Sequence, residues 1–239
     1  MTLLITGATG VLGSELASLL PEALHPSHQE LDVRDADAVE GYIKTKVVDA
    51  VIHCAALTSV RFCQSNEGEA MMTNVYGTRN LVQALKKTRE TFLCYVSTAC
   101  VFPGDDPSKF YSEDDEPRPC NTYGRTKFLG ECEALALRQA LIVRTNFVQR
   151  GKWKYAKAFT DRFSNYLYAD QVAKAIAELH QKRETGIRHV YGDKRNSMFE
   201  LARLSDSTVE PMTMRDYEGP PLTVNMCLTS KVLPPIHLE

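Results

Sequence analysis

Short apolar runs alternate with segments of helical periodicity over the first 150 residues of the chain. The apolar runs contain no internal proline or glycine, as is typical of strands buried on both faces, and cover residues 3–6, 50–54, 92–97 and 140–144. Apolar residues recur at helical spacing over residues 11–20, 36–45, 68–87 and 122–137. Strands that alternate with helices are typical of βαβ units, so the sequence predicts an α/β fold with a doubly wound parallel sheet.

Beyond residue 150 the pattern is weaker. It predicts one amphipathic helix over residues 168–181 and one further strand over residues 187–192, followed from Ser205 by a tail rich in proline, threonine and methionine. We therefore predict a larger domain over residues 1–150 and a small cap over residues 151–239. The pattern leaves open whether the helix and the strand of the cap pack back on the larger domain.

The composition excludes several classes of function. The chain has 239 residues, a hydrophobic fraction of 44% and a formal net charge of −2, with both signs of charge interspersed. We therefore expect neither a nucleic acid nor a membrane as a partner. The seven cysteines are odd in number and form no CxxC pair, so we expect no metal site and no disulfide framework. Because the chain opens on a strand instead of a targeting segment, a cytoplasmic location is the default expectation.

The segment TGATGVLG joins the first predicted strand to the first predicted helix and carries Gly7, Gly10 and Gly13. Backbone N–H groups and the positive end of a helix dipole make such a junction a binding site for phosphate. Gly10 would let a pyrophosphate approach the backbone, and Gly13 would let the helix pack closely on the strand. The segment therefore predicts a Rossmann-like, NAD(P)-binding domain, with a GxxGxxG spacing in place of the GxGxxG of many dehydrogenases.

An acidic residue about 20 positions further on would bind the ribose 2′-hydroxyl of NAD. The expected strand end carries Ser27 and His28 instead, and these side chains tolerate a 2′-phosphate better than a carboxylate does. The sequence therefore favours NADP(H), while NAD(H) stays open because Glu22 or Glu30 could serve if the strand ends elsewhere.

The segments YVSTACVF and YGRTK carry the candidate reaction centre. Tyr123 and Lys127 have an i, i+4 spacing that places both side chains on one face of a helix. A nearby ammonium favours the phenolate, so we expect Lys127 to lower the pKa of Tyr123 toward a value useful for proton transfer. Thr98 lies at the carboxyl end of a predicted central strand, where ligands bind in such sheets, and would direct its hydroxyl to the same substrate oxygen.

Over most of its length the chain resembles the dTDP-4-dehydrorhamnose reductase family of extended short-chain dehydrogenases. The resemblance rests on TGATGVLGSEL, LDVRDADAV, DAVIHCAALTSV, NVYGTRNL, VSTACVF, YSEDDEPRPCNTYGRTKFLGE and LIVRTNFV, with weaker matches in NYLYADQVAKAI, GIRHVYG and PLTVNMCLTSKV.

The resemblance implies roles for individual positions. It makes Thr98, Tyr123 and Lys127 the catalytic residues, with Tyr123 as general acid to a sugar ketone and Lys127 also on the nicotinamide ribose. The implied cofactor-binding residues are Gly7, Gly10, Val11, Leu12, Gly13, Ser27, His28, Asp32, Val33, Ala56, Leu57, Thr58, Tyr123 and Lys127, of which Asp32 and Val33 would meet the adenine. Substrate contacts are implied for Thr98, Ala99, Asn146 and Phe147. Asn74 would support the active site, or else only pack or cap its helix.

Two departures from the family pattern bear on the substrate. Ala99 stands where the family usually has an aspartate, and Ala99 with Cys100 cannot supply the acid pair that dehydratases of the superfamily use. The cap is short, and Pro220 replaces an arginine often found at that place, so a cation for a nucleoside diphosphate is missing there. Four other residues could replace it: Arg61, Arg150, Lys152 and Lys154.

Three functions follow as hypotheses. The first is an NADP(H)-dependent reductase of a 4-keto-6-deoxy nucleotide sugar. The second is a nucleotide-sugar epimerase, or a combined epimerase and reductase, with bound NAD. The third is a nucleotide-binding regulatory subunit without catalysis, because the β subunit of methionine adenosyltransferase resembles the same family. By the same resemblance, the helices that carry NVYGTRNL and YGRTK would pair two chains in a homodimer.

Overall fold

The computed structural model describes residues 2–88 and 91–239. Its strands are β1 Leu3–Thr6, β2 Ala50–His53, β3 Phe92–Thr98, β4 Ala140–Thr145, β5 Phe147–Val148, β6 Lys157–Phe159, β7 Phe163–Ser164, β8 Leu167–Tyr168, β9 Gly186–Val190, β10 Asn196–Ser197 and β11 Glu210–Met212. Its α-helices are α1 Val11–Leu19, α2 Ala36–Lys46, α3 Val60–Ser65, α4 Glu67–Met71, α5 Gly77–Lys86, α6 Thr122–Ala134, α7 Ala169–Gln181 and α8 Met198–Arg203.

A five-stranded parallel sheet with the order β1-β2-β3-β4-β9 forms the centre of the molecule. Side chains alternate between its two faces: Ile5 and Ile52 pack on the side of α1 and α7, whereas Leu4 and Val51 pack on the side of α2 and α5. Helices cover both faces because every strand buries apolar side chains on both. The predicted doubly wound, Rossmann-like α/β fold is confirmed.

The predicted helix over residues 68–87 is divided into α4, a π-helical turn at Met72–Tyr76, and α5. The turn carries Asn74, whose amide Oδ1 accepts from the Leu57 N–H at 2.8 Å and whose Nδ2 donates to the Thr126 hydroxyl at 2.9 Å. A π-helical turn inserts one extra residue into a helix and is frequent at functional sites. Here it ties the loop after β2 to α6.

The predicted helix and strand of the cap are present as α7 and β9. Helix α7 packs beside α1, and β9 pairs with β4 at the edge of the central sheet. The rest of the C-terminal part forms three two-stranded pairs: β5 with β8, β6 with β11 and β7 with β10. The division into a domain at 1–150 and a cap at 151–239 stays a prediction.

The tail also contributes buried residues that periodicity did not indicate. Met226, Cys227 and Leu228 are buried, and Leu228 is joined to Tyr111 by a single parallel bridge. Within the two described ranges, no helix is long and apolar enough to cross a membrane, and no group of ligand side chains could hold a metal ion.

Candidate active site

The glycine-rich loop between β1 and α1 is held in shape by its backbone. Gly7 has a φ of +70°, a left-handed conformation that side chains disfavour, and its carbonyl accepts from the Gly10 N–H at 3.0 Å. A Cβ on Gly13 would lie 2.1 Å from the Gly7 carbonyl oxygen, whereas a Cβ on Gly10 would meet that oxygen alone, at 3.3 Å. Gly7 and Gly13 therefore shape the loop, and Gly10 leaves its open side free.

Replacing Gly13 by alanine is expected to weaken NADPH binding about 10-fold or more, because the added methyl group forces the loop off α1. Overpacking of this kind costs about 1–3 kcal/mol, and 1.4 kcal/mol is about tenfold in affinity. Fluorescence titration with NADPH measures the change. Gly41→Ala in α2 is the matched control, since nothing lies within 4 Å of an added Cβ there. Wild-type affinity in Gly13→Ala contradicts the assigned packing role.

A first cavity of about 350 Å³ opens beside this loop and holds the side chains predicted to meet the adenosine end of a dinucleotide. His28, Asp32 and Val33 line it. Ser27 does not line it, because its N–H and its hydroxyl both donate to Glu30 Oε2 at 2.8 Å. The predicted contact between Ser27 and the cofactor stays a prediction, and the bonds to Glu30 do not favour it.

Arg34 is a residue of this cavity that sequence reasoning missed, although the quoted segment LDVRD contains it. Its Nη2 lies 2.7 Å from Asp32 Oδ2 and 3.4 Å from His28 Nε2, and its Nη1 lies 3.3 Å from Glu69 Oε2. The Arg34 guanidinium lowers the pKa of Asp32, chiefly through its hydrogen bonds. The basic side chain at this end of the cavity is therefore Arg34, two residues after Asp32.

A second cavity of about 520 Å³ adjoins the first and shares Gly7, Gly10, Cys54 and Ala56 with it. We call it the reaction cavity. The residues predicted for the cofactor divide between the two: Leu57 lines the first, Thr58, Val11, Leu12 and Gly13 line the second, and Ala56 lines both. Thr98, Tyr123 and Lys127 line the reaction cavity together.

Helix α6 presents Tyr123 and Lys127 to this cavity. Asn121 is the N-cap of this helix. Its side chain accepts from the Gly124 N–H at 2.9 Å and so satisfies one of the free N–H groups of the first turn. Thr126 Oγ1 donates to the Tyr123 carbonyl and accepts from Asn74. Asn74 therefore connects the helix that carries the candidate acid to the loop at Leu57.

Burial dominates the electrostatics of these groups. It raises the pKa of Tyr123, whereas the hydrogen bond with Thr98 acts in the opposite direction. Burial also lowers the pKa of Lys127 to about 8, and the charge of Glu131 opposes that change. The Lys127 ammonium lies 4.1 Å from the centroid of the Tyr95 ring. The expectation that the pKa of Tyr123 is lowered is wrong, because burial of the phenol raises it.

The predicted substrate residues line the reaction cavity with one exception, Ala99. Asn146 and Phe147 line the reaction cavity, and the Asn146 amide donates to Ser164 Oγ and the Met226 carbonyl, both at 3.0 Å. Ala99 is fully buried, since the chain turns into a short 3₁₀ helix directly after Thr98. The predicted substrate contact of Ala99 stays a prediction that its burial does not favour, whereas Cys100 lines the cavity.

The donor and acceptor groups of the two cavities fit a dinucleotide. Thr145 ends β4 beside Thr98 and lines the reaction cavity, and its buried hydroxyl has no hydrogen-bond partner within the described chain. A buried polar group without a partner is costly, so a ligand that bonds to it is favoured. Together with the open side of the loop at Gly10, this hydroxyl fits a polar ligand that extends through both cavities.

The four cations predicted to replace the missing arginine lie outside the reaction cavity. Arg61 lies over the Tyr217 ring and donates to the Glu218 carbonyl, and Arg150 pairs with Asp170 at 2.9 Å. Lys152 lies 3.7 Å from Asp206, and Lys154 lies over the Tyr155 ring. The predicted role of these four residues at the site is not supported by their placement.

Comparison with known proteins decides the family. The family model described as the RmlD substrate binding domain matches residues 1–218. The chain belongs to the RmlD family. The dTDP-4-dehydrorhamnose reductase of Mycolicibacterium smegmatis is 36% identical to it over 154 residues, which are 62% of this chain and 46% of that protein.

Two further known proteins are similar to this member of the RmlD family. The methionine adenosyltransferase 2 subunit beta of Danio rerio is 35% identical over 143 residues, which are 55% of this chain and 43% of that protein. The crystal structure of dTDP-4-dehydrorhamnose reductase from Bacillus anthracis in complex with NADP has a TM-score of 0.86 and 25% identity, and covers 95% of this chain and 90% of that chain. The chain spans about half the length of the curated relatives it matches.

Proposed function

We propose that this RmlD family member is an NADP(H)-dependent reductase that converts the ketone of a 4-keto-6-deoxy nucleotide sugar to an alcohol. The observation that carries the proposal is that Thr98, Tyr123 and Lys127 line one cavity with the glycine-rich loop. The relative named dTDP-4-dehydrorhamnose reductase and the solved relative in complex with NADP support this substrate class and this cofactor.

The two adjoining cavities suggest which residues would hold the cofactor. We place its pyrophosphate on the backbone of Gly10, Val11 and Leu12, and its adenosine beside Asp32 and Val33. When bound, NADPH supplies a hydride to the carbonyl carbon of the substrate. The hydroxyl of Thr145 and the ammonium of Lys127 are among the polar groups that line the reaction cavity.

Tyr123 acts as the general acid in this proposal. Because burial raises its pKa, the phenol keeps its proton at neutral pH, so the protonated form that a general acid requires is present. The proton passes from Tyr123 to the carbonyl oxygen, while the Thr98 hydroxyl holds the same oxygen. Lys127, with a pKa of about 8, is mostly charged at neutral pH and stabilises the phenolate that remains.

The direct test is oxidation of NADPH in the presence of a dTDP-4-keto-6-deoxy sugar. We expect turnover with the purified protein, and much less with NADH. NADPH binding without turnover would favour the non-catalytic regulatory function, for which the relative from Danio rerio is the precedent. NAD retained through purification would favour the epimerase.

Replacing Arg34 by leucine is expected to raise the KM for NADPH about 10-fold or more, with a change of less than about threefold for NADH. A hydrogen bond to a charged group contributes about 1.5–3 kcal/mol, and only NADPH has the 2′-phosphate. The contact with Glu69 is exposed and contributes little, so a phosphate can replace it. Steady-state kinetics with both cofactors measure the effect. Arg79→Leu on α5 is the control, and equal changes for both cofactors would exclude Arg34 from phosphate recognition.

A further inference from the structure

Arg162 lies between β6 and β7 and directs its guanidinium at sulfur atoms. Its Nε donates to the Thr223 carbonyl at 2.9 Å, but Nη1 lies 3.1 Å from Met198 Sδ and Nη2 lies 3.4 Å from Met226 Sδ. Both methionines and Arg162 line the reaction cavity. A thioether is a weak acceptor, so two of the three nitrogens of this half-buried cation are poorly satisfied.

No carboxylate compensates this charge. Among residues 2–88 and 91–239, no carboxylate oxygen lies within 4.0 Å of the Arg162 nitrogens. The adjacent Asp161 carboxylate accepts instead from the Met214 N–H, at 2.9 and 3.0 Å. A partly desolvated guanidinium without an anion is unfavourable, and its planar fork matches phosphate oxygens. Within the described ranges, Arg162 is thus a cation of the cavity without a carboxylate in contact.

Arg162 is connected to the reacting groups of the same cavity through two side chains. The Cys100 N–H donates to Thr98 Oγ1 at 3.1 Å, and the Cys100 thiol lies 3.6 Å from Met226 Sδ, which contacts Arg162. Two side chains therefore separate Thr98 from the guanidinium. Apart from Lys127 at the reaction centre, Arg162 is the one cation among the described residues that line this cavity.

We infer that Arg162 binds the diphosphate of the nucleotide-sugar substrate and so replaces the cation that Pro220 removes. The inference rests on the proposed function, because a ligand with its ketone at Thr98 and its diphosphate at Arg162 is a nucleotide sugar. It goes beyond that function because it assigns the binding of the diphosphate to one side chain. That side chain is not among the four cations that the sequence predicted for this role. Arg162 serves binding here, and the proton transfer stays with Tyr123.

The test is calorimetric titration of thymidine diphosphate into the NADP-loaded protein. Arg162→Met is expected to weaken this binding about 10- to 100-fold, as loss of a charge-assisted hydrogen bond does, while thymidine without phosphate binds both proteins alike. Arg195→Met is the matched control. Arg195 is exposed, lies 3.7 Å from the centroid of the Phe163 ring and does not line the reaction cavity, so its loss removes the same charge nearby without effect on affinity.

The outcomes separate the inference from the proposed function. Equal affinity of wild type and Arg162→Met for thymidine diphosphate overturns the role of Arg162 and leaves the proposed function standing. A wild-type protein that binds no thymidine diphosphate but still binds NADP overturns both. If Arg162→Met does not fold, Arg162→Gln, whose amide can keep the bond to the Thr223 carbonyl, decides the question by the same titration.

Discussion

Tyr123→Phe is expected to lower kcat for ketosugar reduction about 10²- to 10⁴-fold, the range for loss of a positioned general acid. The substitution removes the phenol hydroxyl and keeps the ring that packs near Cys100 and Phe128. Because burial raises the pKa of Tyr123, the wild-type phenol stays protonated across the neutral pH range. Without that proton, the carbonyl oxygen must take one from water.

Steady-state rates of NADPH oxidation measure the loss. The KM for NADPH is expected to change less than about threefold, since the residues proposed for the pyrophosphate and the adenosine are unchanged. Tyr166→Phe is the matched control, because Tyr166 is buried in the same cavity and its pKa is likewise raised, to about 12. If Tyr123→Phe keeps more than a tenth of the wild-type kcat, another group is the acid.

The sequence was most informative where one physical rule dominates. Residues 3–6 were predicted as a strand and form β1 with the same bounds, because an apolar run between two turns has few alternatives in an α/β chain. Thr98, Tyr123 and Lys127 could be grouped because a strand end and an i, i+4 pair have positions that fold class alone determines. The family model confirms the resemblance on which their roles were based.

The sequence did not indicate the side-chain orientations that turns and tertiary contacts decide. Cys100 lines the reaction cavity and Ala99 does not, because the chain enters a 3₁₀ turn directly after Thr98. Ser27 turns away because Glu30 captures its hydroxyl, and Arg34 turns inward because Asp32 holds it. The direction of the Tyr123 pKa was also wrong, since it depends on how completely distant parts of the chain bury the phenol. None of these contacts leaves a periodic signal.

The buried ion pair beneath α6 carries the largest expected effect on stability. Arg144 Nη2 lies 2.7 Å from Glu131 Oε2, both side chains are 1% exposed, and the Ser97 hydroxyl donates to Glu131 Oε1 at 2.5 Å. Glu131 lies one turn after Lys127 on the same helix, and Ser97 directly precedes Thr98. The pair therefore joins the helix and the strand that carry the three proposed catalytic residues.

Glu131→Leu is expected to lower the free energy of unfolding by about 3–5 kcal/mol, because it leaves the Arg144 charge buried without a counter-charge. Glu131→Leu combined with Arg144→Met is expected to recover most of that loss, since an apolar pair of similar volume carries no such penalty. Urea denaturation of the two variants measures the difference. Glu133→Leu on the same helix is the control: it breaks the partly exposed contact with Arg79, also 2.7 Å long, and is expected to cost less than about 1 kcal/mol.

The double variant also separates two roles of Glu131. Its charge raises the pKa of Lys127 against the effect of burial, so a stable protein without Glu131 is expected to lose the Lys127 charge at a lower pH than wild type. Activity that depends on a protonated Lys127 then begins to fall at a lower pH, while the fold persists. A double variant as unstable as Glu131→Leu would mean that the cost comes from lost packing, and an unchanged pH profile in a stable double variant would mean that Glu131 only supports the fold.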